Sequence, residues 1–286
     1  MSTHDISPFG PDMNPEHPIA DVAAELAQAL TAAGFTADGI AGHLGPEYTE
    51  AWHRGEPAAV ALGTRGDTDL DHLIRIFVLH EHVPATLLSD VLGARLAAKL
   101  LDSGVAQTDE HGTVYVAYDI RPHVIVGRNR LVFSDVDASL VDHVPGADHV
   151  LGVGSASLSL LHSTPTSPVS SVLDLGTGSG VQLLGQLDSA ERIVATDVHE
   201  RALDLARATV TAADATHRVD LRSGSWFDPV AGERFDRIVA NPPFVVGLPE
   251  VGHVYRDSGL NLDGASELVV SQVTEHLNPG GTAHLL

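Results

Sequence analysis

A short segment near the end of the chain has residue types suited to chemistry on a planar nitrogen: Asn241, Pro242, Pro243 and Phe244. The Asn241 side-chain oxygen and the Pro242 carbonyl can both accept hydrogen bonds from one NH2 group. Two acceptors aimed at one nitrogen orient it and favour pyramidalisation, and the prolines fix the loop in advance. The acceptors bind the nitrogen more strongly as positive charge develops on it, and Phe244 can stack on the planar group. These four residues are the candidate catalytic residues, and this chemistry requires no metal.

A glycine-rich turn is the second candidate site. The apolar stretch 172–175 predicts a buried strand, and Gly176, Gly178 and Gly180 follow it. Glycine permits backbone angles that other residues resist and lets the backbone approach a ligand closely. Asp197, at the end of the next predicted strand, lies about 20 residues on, where an acidic side chain holds ribose hydroxyls. On its own, this pattern also fits a dinucleotide-binding fold, which is the rival interpretation.

Together the two segments resemble one enzyme family. The string from Val172 to Gly180, with Asn241-Pro-Pro-Phe after the fourth predicted strand, is similar to the class I S-adenosylmethionine-dependent methyltransferases. The resemblance is to the subgroup that methylates glutamine amides or the exocyclic amines of adenine and guanine. Segments 257–264 and 277–281 look like the same group. The resemblance covers residues 150–286 and implies S-adenosylmethionine as the cofactor.

The resemblance also implies roles for individual residues. The glycine turn is expected to face the methionine moiety and Asp197 the ribose, with Asp174 contacting the amino-acid part through its backbone or a water. Ser225 and Trp226 are expected to bracket the adenine ring, although Trp226 equally fits a core position. The cofactor-binding residues are thus Asp174, Gly176, Thr177, Gly178, Gly180, Asp197, Ser225, Trp226 and Asn241. A substrate entrance or a solvated loop is expected at His253, Tyr255, Arg256 and Asp257.

Residues 151–286 alternate between predicted strands and helices, which indicates an α/β fold with a doubly wound, Rossmann-like methyltransferase sheet. Ligands of such sheets bind at the carboxyl ends of the strands, where both candidate segments lie. The predicted strands are 172–175, 192–197, 219–222, 235–240 and 282–286, with a helix at 268–277. The family normally has seven strands. The resemblance therefore predicts a domain truncated after strand five, with that strand as an exposed edge.

The first half of the chain has a different plan. Residues 1–18 are rich in proline and predict a flexible tail, and residues 19–150 predict a helical and winged-helix-like domain for a substrate or partner. A helix from Ile19 ends at Gly34, and shorter helices follow from Thr36 and near Pro46. Residues 67–123 then predict three helices and a β-hairpin, the order of a winged helix. A basic strand region, 121–130, leads towards the second domain, and the stretch 163–170 is the predicted linker.

The chain is strongly acidic, with a net charge of -22, which disfavours partners with a phosphate backbone. Residues 67–123 hold nine acidic and four basic side chains, and the predicted recognition helix offers only Arg95 and Lys99. A protein-docking or structural role therefore fits this module better than DNA binding. Cysteine, a secretory signal and long apolar runs are all absent from the sequence, which predicts a cytoplasmic location and no membrane partner.

The leading interpretation is an S-adenosylmethionine-dependent N-methyltransferase that acts on a protein glutamine side chain, similar to the release-factor glutamine methyltransferases. The alternative is methylation of adenine N6 or guanine N2 in rRNA, tRNA or DNA, and a small amine is a third possibility. A non-catalytic module with a vestigial cofactor site is disfavoured by the intact Asn241 and glycine turn. The N-terminal half departs from the all-helical substrate domain of the release-factor enzymes, so the sequence does not name the acceptor.

Overall fold

The structure is a computed structural model that describes residues 19–137, 146, 148–242 and 264–286. The described chain begins with three helices: α1 (Ala20–Ala32), α2 (Ala37–His53) and α3 (Pro57–Gly63). The predicted tail, 1–18, lies outside the described residues.

Helix α2 shows how local sequence sets these boundaries. It begins where the Thr36 hydroxyl accepts a hydrogen bond from the Gly39 amide at 3.0 Å, a typical N-cap. The helix is kinked at Gly45, which has a φ of 75° and directly precedes Pro46. The two short helices predicted here are therefore the two halves of one kinked helix.

The next segment contains the three helices and the hairpin that its periodicity predicts. The elements are α4 (Asp69–Phe77), β1 (Val83–Pro84), α5 (Ala85–Leu92), α6 (Ala94–Asp102), β2 (Ala106–Thr108) and β3 (Thr113–Val116). Thr68 and Asp71 form a reciprocal capping box at the start of α4. The short strand β1 was not predicted; it pairs antiparallel with β3 and completes a three-stranded sheet in the order β1-β3-β2.

A second hairpin connects the two halves of the chain. Strands β4 (Asp119–Ile125) and β5 (Arg128–Ser134) pair antiparallel, joined through Val126 and Gly127, both at positive φ.

The second half contains a five-stranded parallel sheet, as predicted. Its elements are α7 (Ser155–Ser163), β6 (Val169–Leu175), α8 (Val181–Gln186), β7 (Ala190–Asp197), α9 (Glu200–Ala212), β8 (Val219–Ser223), β9 (Phe235–Ala240), α10 (Gly264–Gln272) and β10 (Leu277–Leu285). The strand order is β10-β9-β6-β7-β8, and all four pairings are parallel. The order reverses between β6 and β9, which places the topological switch point between the glycine turn and Asn241.

The two halves share one apolar core. Helix α9 of the sheet domain packs against both α1 and β5. Its buried residues Ala202, Leu205 and Ala208 belong to the same cluster as the core of the N-terminal region. The backbone amide of Phe133 on β5 also donates to the Thr209 hydroxyl on α9 at 3.1 Å. The N-terminal region is therefore fixed against the sheet domain by packing and by a buried hydrogen bond.

Two sequence-based predictions about segment boundaries were wrong. The stretch 163–170 is not a linker, because β6 already begins at Val169, Thr164 is buried, and the Ser167 carbonyl and hydroxyl accept from the buried Arg237. The helix predicted at 268–277 begins earlier and ends earlier. It gives way to a 3-10 turn, Val273–His276, because Leu277 already pairs with Phe235 as the start of β10. Gly280, at a φ of 81°, lies in the bulge that interrupts this strand.

Strand β10 lies at the edge of the sheet. Within the described ranges it pairs with β9 alone, and the 119–134 hairpin does not cover it. No helix in the described part of the chain is long and apolar enough to cross a membrane.

Candidate active site

One cavity of about 560 Å³ opens at the carboxyl ends of β6, β7 and β9. This volume lies within the range of small-molecule sites, roughly 300–1,000 Å³. Most of the predicted site residues that the structure describes line it: Gly176, Thr177, Gly178, Asp197, Ser225, Trp226, Asn241 and Pro242. The predicted residues Asp174 and Gly180 are not in its wall.

The glycine turn is shaped by backbone conformation. Gly176 and Gly178 have φ values of 72° and 54°, and a Cβ added at either would meet no atom within 4 Å. Glycine is favoured here because of the backbone angle, which side chains resist, and not because of crowding. The amides of Gly176 and Thr177 both donate to the Thr196 carbonyl, at 2.9 and 2.8 Å, which fixes the turn against the end of β7.

Asp174 lies beneath the turn and supports it. Its Oδ2 accepts from the Thr177 hydroxyl at 2.7 Å and from the Leu183 amide at 3.0 Å, which joins the turn to α8. The side chain is fully buried, and burial raises its pKa to about 7. The side chain of Asp174 therefore positions the turn, and a ligand contact through its backbone or a water stays a prediction.

Asp197 joins two loops at the cavity wall. Its Oδ2 accepts from the Gly178 amide at 2.9 Å, and its Oδ1 accepts from the His199 amide at 3.0 Å. A carboxylate has about four acceptor positions. Two remain beyond these contacts among the described residues, so the group can hold its loops and still accept from a ligand's hydroxyls.

Trp226 also lines the cavity. It has a positive φ of 47° and is partly buried against the apolar cluster that includes Phe227 and Val230. Its segment is held to β7 because the Gly224 amide donates to the Asp197 carbonyl at 2.9 Å. Trp226 therefore packs on the core and also lines the cavity, and its contact with an adenine ring stays a prediction.

Asn241 and Pro242 follow β9 directly and line the same cavity as the glycine turn. The Asn241 Oδ1 atom is buried and has no hydrogen-bond donor among the residues that the structure describes. Pro243, Phe244 and the predicted entrance residues His253, Tyr255, Arg256 and Asp257 lie outside the described residues. Their roles remain predictions.

Two parts of the cavity wall were missed in the sequence. Segment 148–157 forms one of them, held in place because the Ser179 hydroxyl donates to the Leu151 carbonyl at 2.8 Å. Leu151 and Val198 are 49% and 54% exposed and offer apolar surface at the cavity. The other part is strand β4, whose residues Asp119, Arg121 and His123 face the cavity. The alternation of polar and apolar residues in 119–123 could have predicted a strand with one polar face. This alternation does not show whether the polar face contacts solvent or a cavity.

Comparison with known proteins gives this geometry a family. Residues 148–283 match the family described as Methyltransferase small domain, and residues 32–117 match a domain of unknown function, DUF7059. A solved T. thermophilus 16S rRNA N2 G1207 methyltransferase in complex with AdoMet and guanosine is 20% identical, with a TM-score of 0.45, and the match covers 66% of this chain and 52% of that chain. A release factor glutamine methyltransferase from Xylella fastidiosa is 31% identical over 201 residues, which cover 65% of this chain and 68% of that protein. This chain belongs to the release factor glutamine methyltransferase family.

A second family member shows how far the match extends. The release factor glutamine methyltransferase from Geobacter sulfurreducens is 38% identical over 125 residues, which cover 38% of this chain and 42% of that protein. The chain thus spans about two thirds of the first relative and less than half of the second.

Membership of this family makes the chain an S-adenosylmethionine-dependent methyltransferase, and the residues of its cavity fit that cofactor. The carboxylate of Asp197 has acceptor capacity for ribose hydroxyls, and Val198 and Trp226 offer apolar surface for a purine ring. The Gly176–Gly180 turn leaves space for a ligand to approach the backbone. Within the described ranges no group of three or more metal-ligating side chains is found. The individual cofactor contacts remain predictions.

Proposed function

We propose that this methyltransferase transfers a methyl group to the side-chain amide nitrogen of a glutamine in a protein, with a release factor as the first candidate. The observation that carries the proposal is the buried Asn241 oxygen, which lacks a donor among the described residues. A buried acceptor without a donor is costly, so a ligand NH2 group is the natural partner. The names of the relatives, release factor glutamine methyltransferases, support glutamine as the source of that group.

An amide nitrogen is a poor nucleophile, and residues of this chain can make it more reactive. Its lone pair is delocalised into the carbonyl. Hydrogen bonds from the NH2 group to the Asn241 oxygen and the Pro242 carbonyl favour a pyramidal nitrogen and so localise that lone pair. Both acceptors interact more strongly as the nitrogen becomes positive, which stabilises the transition state over the ground state. When bound, S-adenosylmethionine would supply a methyl group activated by its sulfonium; the C–S bond would break to leave a neutral thioether, and the methylated nitrogen would release one proton to the solvent.

The charges of the molecule support a protein acceptor over a nucleic acid. On α6, which would be the recognition helix of a winged helix, Arg95 and Lys99 are both paired with Glu25 of α1, the lysine at 2.6 Å. Neither cation is thus free to neutralise a phosphate without losing this pairing. Among the described residues that line the cavity, one is an arginine, Arg121, and five are acidic: Asp119, Asp135, Asp137, Asp148 and Asp197. The cytoplasmic location predicted from composition belongs with this proposal.

The test is to find which class of molecule receives the methyl group. Cell extract and, separately, a purified release factor are incubated with the enzyme and with cofactor labelled in the methyl group. The extract is then sorted into protein, RNA and small molecules. We expect label in the protein fraction and on the release factor, and none with the Asn241→Ala enzyme. Label confined to RNA would contradict the proposal and favour an exocyclic amine as acceptor.

A further inference from the structure

Strand β4, which belongs to the N-terminal region, forms part of the cavity wall. Its alternate residues Asp119, Arg121 and His123 line the cavity, whereas Ile120 and Pro122 between them are buried. Successive side chains of a strand point to opposite faces. One face of β4 therefore packs on the core while the other presents a polar row to the space beside the glycine turn.

Asp119 and Arg121, the first two residues of this polar row, already make contacts within the protein. The Arg121 Nε lies 2.5 Å from the Asp119 Oδ1, and the His80 Nε2 lies 3.6 Å from the same oxygen. The Arg121 Nη2 also donates to the Val78 carbonyl at 3.4 Å. These contacts connect the polar row to the segment after α4. Asp119 and Arg121 therefore have structural roles.

His123 differs from both neighbours. No hydrogen bond or ion pair joins its imidazole to any residue in the described part of the chain, although the ring is partly buried in the cavity wall. Burial lowers its pKa to about 4, with smaller lowering contributions from Arg121 and His53 that Asp119 opposes. The ring is therefore neutral at physiological pH. A neutral imidazole has one N–H donor and one nitrogen acceptor.

We propose that His123 is a substrate-positioning residue, whose imidazole hydrogen bonds an amide group of the protein acceptor on the wall of the cavity formed by β4. An amide offers a carbonyl acceptor and an N–H donor, which is the complement of a neutral imidazole. A phosphate offers acceptors only, and the Asp119–Arg121 ion pair beside the ring leaves no net positive charge to attract it. This inference rests on the proposed function, and it makes the N-terminal region part of the acceptor site.

The kinetic test separates acceptor binding from cofactor binding and chemistry. The variants are His123→Ala, His123→Asn, which keeps one donor and one acceptor, and His162→Ala, an exposed histidine of α7 outside the cavity wall. The acceptor is the protein that the wild-type enzyme labels. We expect the KM for that protein to rise about tenfold in His123→Ala, the effect of one lost hydrogen bond. The kcat and the cofactor Kd should change less than about twofold, since the lost contact is to the acceptor alone.

The same experiment distinguishes the possible failures. His123→Asn should recover part of the lost affinity, and His162→Ala should match wild type. If wild type methylates protein and His123→Ala has an unchanged KM, the inference is wrong while the proposed function stands. If wild type labels no protein, both are overturned.

A spectroscopic readout does not depend on turnover. In protein with ¹⁵N-labelled histidine, the His123 imidazole signals should stay those of a neutral ring from pH 8 down to about pH 5.5, well above its pKa of about 4. Adding the acceptor protein should shift those signals and leave the His162 signals in place. A His123 ring that is insensitive to the acceptor would overturn the inference even if the variant were poorly folded.

Discussion

The two walls of the cavity are built in different ways. The wall formed by the ends of β6 and β7 depends mainly on backbone: a glycine turn at positive φ, two amides on the Thr196 carbonyl, and one carboxylate, Asp197, that accepts from two loops. The wall formed by β4 depends on side chains, with Asp119, Arg121 and His123 on one face of the strand. A backbone site suits an invariant cofactor, whereas a side-chain site can be altered residue by residue to suit one acceptor.

Asn241 lines the same cavity, and its replacement should have the largest effect. Asn241→Ala should lower kcat by about 10²–10³, the usual loss when a preorganised polar group at the reacting atoms is removed. The cofactor Kd should stay nearly unchanged, because the residue acts on the acceptor nitrogen. Steady-state kinetics and calorimetry check both expectations. Asn241→Asp keeps an acceptor oxygen and is the comparison variant; an alanine variant with most of the wild-type activity would remove Asn241 from the mechanism.

Asp197→Asn tests the cofactor wall alone. The single side-chain oxygen of asparagine can accept from the Gly178 amide or from the His199 amide, but not from both. The remaining amide then faces the asparagine NH2 group, and both of these groups are donors. Cofactor affinity should fall about tenfold or more, since the variant loses a charged acceptor and a hydrogen bond to a charged group contributes roughly 1.5–3 kcal/mol. The acceptor KM at saturating cofactor should change little. Calorimetry with the demethylated cofactor measures the first quantity, and an equal loss in Asp90→Asn, an exposed aspartate of α5, would point to a general effect on folding.

Asp174→Asn should have the smallest effect on activity, and its main effect should be on stability. In the folded protein the pKa of Asp174 is raised to about 7, whereas in the unfolded chain the carboxyl group loses its proton from about pH 4 upward. Between these two values the unfolded state therefore becomes more favourable as the pH rises. Wild-type stability should therefore fall between pH 5 and pH 7.5, by on the order of 2 kcal/mol from this residue. The free energy of unfolding of the asparagine variant should fall less over this pH range, because asparagine has no titratable proton. Urea unfolding at the two pH values, with Asp90→Asn as control, gives the difference; parallel pH profiles for Asp174→Asn and wild type would show that the pKa is not raised.

The same contrast explains how much of the molecule could be predicted from its residues. The glycine turn, Asp197 and Asn241 lie directly after strands, so a local pattern predicts both the strand and the edge where it ends. The place of β4 depends on α9, more than sixty residues further along the chain, where Thr209 binds the Phe133 amide. No periodicity within 119–134 contains that contact. Asp174 was linked to the turn from the sequence, but the burial of its side chain, which lets it support the turn, comes from α8 and the sheet.

The most direct test of the central claim is the chemical position of the transferred methyl group. Protein labelled by the wild-type enzyme is digested, and tandem mass spectrometry locates the methyl group, with Asn241→Ala as the control reaction. The geometry of Asn241 and Pro242 predicts methylation of a glutamine side-chain nitrogen, absent from the variant reaction. A methyl group on a lysine, an arginine or a carboxylate, or only on adenine or guanine, would contradict the account.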